Sequence, residues 1–200
     1  MAKIQDVSGI QQIWDNMKDH KKFQMMKIYE SIMGSNSRTD WYHLMSHNIA
    51  RPRAKVILWL AIQDRLATKV RLHRLGLLQD MMCSLCLAAD ENTTHLLFQC
   101  SHTVGIWQAL LDWLGIKVDT PIDFHWIKQV TKGKGKHKGL LKATITEIVY
   151  GIWMYRNKRI FEGVGTNRDI QHVTKDVIDT IVYRGWLNPT YRKIIVNYLM

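Results

Sequence analysis

The sequence predicts an all-α fold, in which a helical domain carries an embedded metal site and continues into a C-terminal helical extension. Apolar residues recur at spacings of three and four along most of the chain, which is the period of an amphipathic helix. No segment shows the alternation of apolar and polar residues that is typical of a half-buried strand. Gly76 and Gly115 each stand just after such a helical pattern, where glycine commonly ends a helix.

Three helical segments are predicted before the cysteines. The first lies in residues 1–40, where Ser8 is the expected N-cap. A second, short amphipathic helix follows Pro52, and a third begins after Thr68 and ends before Gly76. We expect the second and third helices to form a hairpin that leads into the cysteine region.

The remaining helices are predicted after the cysteines. One covers 106–114, and a long amphipathic helix runs over 141–161. Shorter helices follow at 173–182 and 191–198, while the glycine- and lysine-rich stretch 131–139 is expected to be a loop that cannot pack. The predicted domain organisation is an N-terminal helical segment at 1–40, a domain with the metal site at 41–116, a basic linker at 117–139 and C-terminal helices at 140–200.

The composition excludes several classes of protein. With 200 residues, 46% hydrophobic and 22% charged, the chain is close to the globular average, so extensive disorder is not expected. No apolar run approaches the length of a membrane span, and the first residues lack the apolar stretch of a signal peptide. Three cysteines are too few for a disulfide scaffold and fit a reducing compartment. We therefore expect an intracellular protein, nuclear or cytoplasmic and not secreted, without a membrane partner.

All the cysteines fall in one short segment with the spacing of zinc ligands. Cys83 and Cys86 form a Cys-x-x-Cys pair, whose turn lets two thiolates face one point about 2.3 Å from a zinc ion. His95 and Cys100 complete a set of four. On an ideal helix, a residue five positions on lies about 140° around the axis. Cys100 can therefore reach the ion only if the helix carrying His95 ends near Gln99 and the chain turns back.

Other interpretations of this cluster exist. The cysteines could be small buried apolar residues with His95 as a core histidine, and His102 competes with His95 as the fourth ligand. Disulfide redox chemistry is disfavoured because no βαβ pattern surrounds the Cys-x-x-Cys pair. A complete set that uses every cysteine favours one zinc ion held by Cys83, Cys86, His95 and Cys100. Four protein ligands leave no open position, so the predicted site is structural and not catalytic.

The residues around the cluster follow an ordered set of motifs. These are Trp41, Pro52-Arg-Ala-Lys55, Leu58-Trp59-Leu60-Ala61, Arg65-Leu66-Ala-Thr68, Arg71-Leu72, Gly76, Asp80, Cys83-x-x-Cys86, His95-Leu-Leu-Phe98-x-Cys100 and Trp107. In this order they resemble the zinc-binding domain found downstream of the reverse transcriptase in plant LINE-type (non-LTR) retrotransposon polyproteins. A second motif, further along the chain, resembles the segment that leads toward the ribonuclease H region of such polyproteins. It is Ile152-Trp153-x-x-Arg156-Asn157-x-Arg159-x-Phe161. The chain departs from the family pattern at Ile57, where an aromatic residue is usual, and at Leu87, where glycine is common.

The resemblance implies contact with nucleic acid but no catalysis. A reverse transcriptase needs a Tyr-x-Asp-Asp turn for its metal ions, and this sequence contains no Asp-Asp pair. Ribonuclease H needs clustered carboxylates on a mixed sheet, whereas the 17 acidic residues here are scattered through helical patterns, apart from Asp90-Glu91 beside the cysteines. We therefore expect a non-enzyme of retrotransposon origin, with no small-molecule substrate.

Basic residues concentrate between 51 and 74, where Asp64 is the single acidic residue. The formal net charge of +11 makes an anionic partner plausible, and phosphate contacts would make binding depend steeply on salt. The candidate contacts to RNA or DNA, with little sequence specificity, are Arg51, Arg53, Lys55, Lys69, Arg71 and Arg74. The alternatives are a solvated helix face, a protein–protein interaction module ordered by zinc, and a transposon relic without a selected function.

The tryptophans are assigned by their place in the apolar pattern. Trp59, Trp107, Trp113 and Trp153 fall within helical periodicity, so we expect them in the core. Trp126 and Trp186 are less clearly internal, and an exposed aromatic residue can stack on a base.

Overall fold

The structure is a computed structural model that describes residues 41–46, 48–162, 170–196 and 198. The predicted first helix, with Ser8 and the rest of 1–40, lies outside the described residues. Within the described part every regular element is helical, apart from an isolated antiparallel bridge between Met82 and Asp90. The all-α prediction is therefore confirmed.

Eight α-helices and one π-helical turn are present in the described part of the chain. In order they are α1 (Tyr42–Met45), α2 (Pro52–Ile62), α3 (Lys69–Arg74), the π-helical turn (His95–Gln99), α4 (Ser101–Trp113), α5 (Phe124–Val130), α6 (Lys136–Phe161), α7 (Ile170–Leu187) and α8 (Pro189–Val196).

The start and stop signals read from the sequence coincide with observed helix ends. Helix α2 begins at Pro52, whose missing N–H is no loss in the first helical position. Helix α3 begins directly after Thr68 and ends two residues before Gly76, which has a φ of 70°. Helix α4 likewise ends before Gly115, with a φ of 67°. Both glycines adopt the left-handed conformation that closes a helix.

Helix α6 is the centre of the fold and is longer than the sequence predicts. It starts at Lys136, and its side chains from 139 to 149 are buried on every side, because α2, α4, α7 and α8 all contact it. The amphipathic pattern predicts most of this helix but not its burial on every side, because such a pattern indicates a single buried face. A Cβ at Gly139 would collide with the ring of Tyr191, so only glycine lets α8 pack this closely against α6.

The stretch 117–139 differs from the predicted basic linker. It contains α5, which is capped by Asp123 accepting a hydrogen bond from the Trp126 N–H at 2.7 Å, and which buries Ile127 completely. The last lysines of the stretch belong to the first turn of α6, and Lys138 Nζ donates to the Val130 carbonyl at 2.7 Å. Apolar residues between the lysines therefore fold this stretch onto the rest of the chain. The four-part division itself stays a prediction.

The tryptophan expectations are confirmed in the core but wrong at one position. Trp107 and Trp153 are buried and Trp113 is half-buried, whereas Trp59 is 46% exposed. Helix α2 buries Ala54, Leu58 and Ala61. Successive residues of a helix are rotated by about 100° around its axis, so Trp59 points away from the face that Leu58 occupies.

A membrane-spanning helix needs a long apolar stretch, and the helices that the structure describes include none that meets this requirement.

Candidate metal centre

Four side chains from one short segment of the chain meet at one point. One nitrogen or sulfur atom from each of Cys83, Cys86, His95 and Cys100 lies within 4.8 Å of all the others. The Sγ atoms of Cys83 and Cys100 are 3.9 Å apart, and Cys86 Sγ lies 3.3 Å from His95 Nε2. Cys83, Cys100 and His95 are buried, and Cys86 is half-buried.

The spacing fits a tetrahedral zinc ion. Two thiolates about 2.3 Å from a tetrahedral centre lie about 3.8 Å from each other, close to the observed 3.9 Å. A disulfide would need a separation of about 2.0 Å. The cluster is therefore able to coordinate one zinc ion. His102 is partly exposed and does not belong to this group of ligand atoms.

The proton affinities of the buried thiols also favour a bound cation. The hydrogen bond with Cys100 holds the pKa of the Cys83 thiol well below its usual range. The same contact, together with burial, raises the pKa of Cys100. Two adjacent buried thiolates repel each other, and a divalent cation removes this obstacle because coordination deprotonates a thiol.

A π-helical turn brings His95 and Cys100 together. The Cys100 N–H donates to the His95 carbonyl at 2.8 Å, which is a hydrogen bond between positions i and i+5. In an α-helix these two positions lie about 140° apart, whereas the wider π turn returns position i+5 toward position i. The turn ends at Gln99, and Cys100 itself is extended, as the ligand spacing requires.

The turn that carries the first two cysteines closes through a left-handed residue. The Leu87 N–H donates to the Cys83 carbonyl at 2.9 Å, and the Cys83 N–H donates to Ala89 at 2.8 Å. Leu87 has a φ of 55° and is 69% exposed. This is the position where the resembled family commonly has glycine, which adopts such a φ without steric cost.

Comparison with known families agrees with this geometry. Residues 23–107 match the family model described as zinc-binding in reverse transcriptase. Over these residues the chain is similar to a reverse-transcriptase zinc-binding domain. The match contains all four residues of the cluster and ends at Trp107, before α5 to α8 begin. Neither the curated proteins nor the solved structures searched contain a match.

A buried carboxylate ties the zinc-binding domain together. Glu91 is fully buried, and its Oε2 accepts the N–H of Ser84, between the first two cysteines, at 3.3 Å. Its Oε1 accepts the first N–H of α3, that of Lys69, at 3.0 Å. Arg156 on α6 donates to the same oxygen from Nε at 3.0 Å and from its terminal nitrogen at 2.5 Å. One side chain thus holds the cysteine turn, α3 and α6 in register.

Arg156, which donates these hydrogen bonds to Glu91, lies outside the matched segment. It also donates to the Ala67 carbonyl at 3.3 Å and lies 5.0 Å from the ring centre of Trp153.

The sequence did not predict the roles of Glu91 and Arg156. One signal was present, because Arg156 stands three and four residues after Trp153 and Ile152, on the apolar face of its helix. A buried arginine at such a position requires a carboxylate partner.

Two of the six predicted nucleic-acid contacts form ion pairs with carboxylates of the same chain. Arg51 donates to the fully buried Glu147 of α6 from its backbone N–H at 2.7 Å and from its guanidinium at 2.9 and 2.6 Å. Lys69 Nζ donates to Asp80 at 2.6 Å, and this hydrogen bond lowers the pKa of Asp80. The Arg51 pair joins α2 to α6, a partnership that no local pattern in the sequence indicates.

The other four predicted contacts lie in two separate places. Arg71 and Arg74 both line a cavity of about 240 Å³, and Arg71 donates to the Asp64 carbonyl at 3.2 Å. Arg53 and Lys55 lie on α2. Within the described residues, the side chains of Arg53, Lys55 and Arg74 take part in no hydrogen bond or ion pair.

Proposed function

We propose that the chain is a non-catalytic module of retrotransposon origin that binds RNA or DNA with little sequence specificity. In this proposal one zinc ion, held by Cys83, Cys86, His95 and Cys100, has a structural role. Three thiolates and one imidazole fill a tetrahedral shell, which leaves no position for a substrate. The family description supports a nucleic-acid role, because a reverse transcriptase works on nucleic-acid templates.

The observation that carries the nucleic-acid proposal is the cavity shared by two arginines. Arg71 and Arg74 stand one helical turn apart on α3 and line this cavity together with Thr68 and Asn92. A guanidinium presents several N–H donors in a planar fork that matches phosphate oxygens. Guanidinium groups that line a cavity in this way can donate hydrogen bonds to the phosphate oxygens of a nucleic-acid backbone.

The set of residues that we propose to contact nucleic acid is smaller than the six that the sequence suggests. Arg51 neutralises the buried Glu147, and Lys69 is paired with Asp80, so neither needs an external anion. We assign the contacts to Arg53 and Lys55 on α2 and to Arg71 and Arg74 on α3. Contacts to phosphates and not to base edges give affinity without sequence readout.

The test is the salt dependence of binding. The full chain is titrated into a fluorescein-labelled oligonucleotide over a series of salt concentrations, and fluorescence anisotropy gives the affinity. Each phosphate contact contributes about −0.7 to −0.9 to the slope of log affinity against log salt. The double variant Arg71→Ala/Arg74→Ala should therefore reduce the magnitude of the slope by about 1.4 to 1.8.

The matched control is Lys117→Ala, which removes an exposed charge from the loop between α4 and α5. Its slope should equal that of the unmodified chain. Binding that does not respond to salt, or no binding at all, would contradict the proposal and favour a protein–protein interaction module.

A further inference from the structure

The solvent face of α2 presents two large apolar side chains. Val56 is 55% exposed and Trp59 is 46% exposed. They are three residues apart, so they are neighbours on one face of the helix, opposite the buried Ala54, Leu58 and Ala61. Exposing an indole to water is unfavourable, which makes this face a candidate contact surface.

Trp59 has no partner for its ring among the described residues. It takes part in no aromatic pair and no cation–π contact there. Trp186, the comparably exposed tryptophan of α7, differs, because Arg192 lies 5.7 Å from its ring centre. The Trp59 ring is therefore available to an external planar group.

The charge around Trp59 selects an anionic ligand. Lys55 precedes Trp59 by four residues and Arg53 precedes Val56 by three, so each cation borders the apolar pair. Helix α2 contains no acidic residue. Asp64, five residues after Trp59, lines the same cavity as Arg71 and Arg74. A ligand on this face thus meets a flat aromatic surface with a cation on either side of the apolar pair.

We propose that Trp59 is a stacking platform for an unpaired base of single-stranded RNA or DNA, with Arg53 and Lys55 contacting the adjoining phosphates. This inference rests on the proposed function and names its substrate class. Every base has a π face, so stacking tolerates any sequence, whereas the bases of a duplex are already stacked and do not reach an exposed ring. A protein partner would account for the apolar pair, but the flanking cations Arg53 and Lys55, on a helix without acidic residues, favour a polyanion.

The experiment measures the full chain against a labelled 12-nucleotide single strand and against a duplex of the same length. Replacing a stacking aromatic residue typically weakens single-strand binding by about 5- to 150-fold. We expect this loss for Trp59→Leu, which keeps apolar bulk, and retention of most of the affinity for Trp59→Phe, which keeps a ring. The salt slope should not change in either variant, because no phosphate contact is removed.

The control is Trp186→Leu, which should bind the single strand like the unmodified chain. Equal single-strand binding by Trp59→Leu and the unmodified chain would overturn the stacking proposal. The salt dependence of the arginine variants would then still support the proposed function. An equal loss on duplex and single strand would also overturn it. If the unmodified chain binds neither oligonucleotide, the proposed function fails as well. Zinc content and helical circular dichroism, unchanged in all variants, establish that each one is folded.

Discussion

At the scale of single residues, the turn that carries Cys83 and Cys86 contains one residue in an unfavourable backbone conformation. Leu87 closes the turn after Cys86 with a φ of 55°, in the left-handed region that a branched side chain rarely occupies. The side chain is mostly exposed, so it gains little burial in return. The departure from the family pattern at this position therefore has a physical cost within the turn.

Leu87→Gly is predicted to stabilise the folded, zinc-bound chain. Relief of the left-handed conformation gives about 1–2 kcal/mol, and the greater freedom of glycine in the unfolded chain removes about 0.5–1 kcal/mol. The net gain is about 0.5–1 kcal/mol in the free energy of unfolding, measured by urea titration. Leu77→Gly is the matched control: this leucine is equally exposed but has no positive φ, so the substitution should not stabilise. A loss of stability in Leu87→Gly would contradict this explanation.

At the scale of elements, helix α6 contacts the zinc-binding domain through two ion pairs, of which Arg156–Glu91 is buried on both sides and Arg51–Glu147 only at its carboxylate. Glu147 on α6 receives Arg51 at the start of α2, and Arg156 on α6 reaches Glu91 beside the cysteine turn. Both carboxylates are fully buried. Such pairs add little stability when complete, but they fix the register of the elements, and losing one partner leaves an uncompensated charge.

Arg156→Met is predicted to lower the free energy of unfolding by about 3–5 kcal/mol, because Glu91 is left charged and buried. The double variant Glu91→Leu/Arg156→Met should recover part of this loss, since it leaves no charge behind. Urea unfolding of the zinc-bound chain measures both values. A single variant as stable as the unmodified chain would show that the pair does not couple α6 to the turn.

The sequence predicted most of the elements but not what surrounds them. Proline and glycine positions gave the ends of α2, α3 and α4, because these residues act on the local backbone. The burial of α6 on all sides and the exposure of Trp59 depend on how helices pack, which spacing alone does not contain. The sequence spacing of the four cluster residues predicted that they share one zinc ion, but it could not reveal the π-helical turn between His95 and Cys100. Glu91 and Arg156 are 65 residues apart, so only the folded chain pairs them.

At the scale of the whole molecule, the matched zinc-binding segment packs against helices that lie outside the match. Its match ends at Trp107, whereas the partners of Glu91 and Arg51 lie on α6, which runs from Lys136 to Phe161. The buried residues of α2 also pack against α6. The C-terminal helices therefore complete the core of the domain.

A fragment of residues 41–116 is predicted not to fold stably, even with zinc present. It would expose the apolar face of α2 and leave Glu91 without Arg156. Circular dichroism and limited proteolysis in the presence of zinc, beside the full chain, measure this. A protease-resistant helical fragment with the zinc affinity of the full chain would contradict the role assigned to α6.

The most direct test of the central claim is the zinc content of the purified full chain. Elemental analysis should give about one zinc per chain, since a structural site contributes roughly 10–16 kcal/mol of apparent folding free energy at neutral pH. Cys86→Ser and His95→Ala should lose the metal, whereas His102→Ala should keep it, because His102 lies outside the cluster. A full chain that is folded without metal, or one that loses its zinc in His102→Ala, would contradict the account.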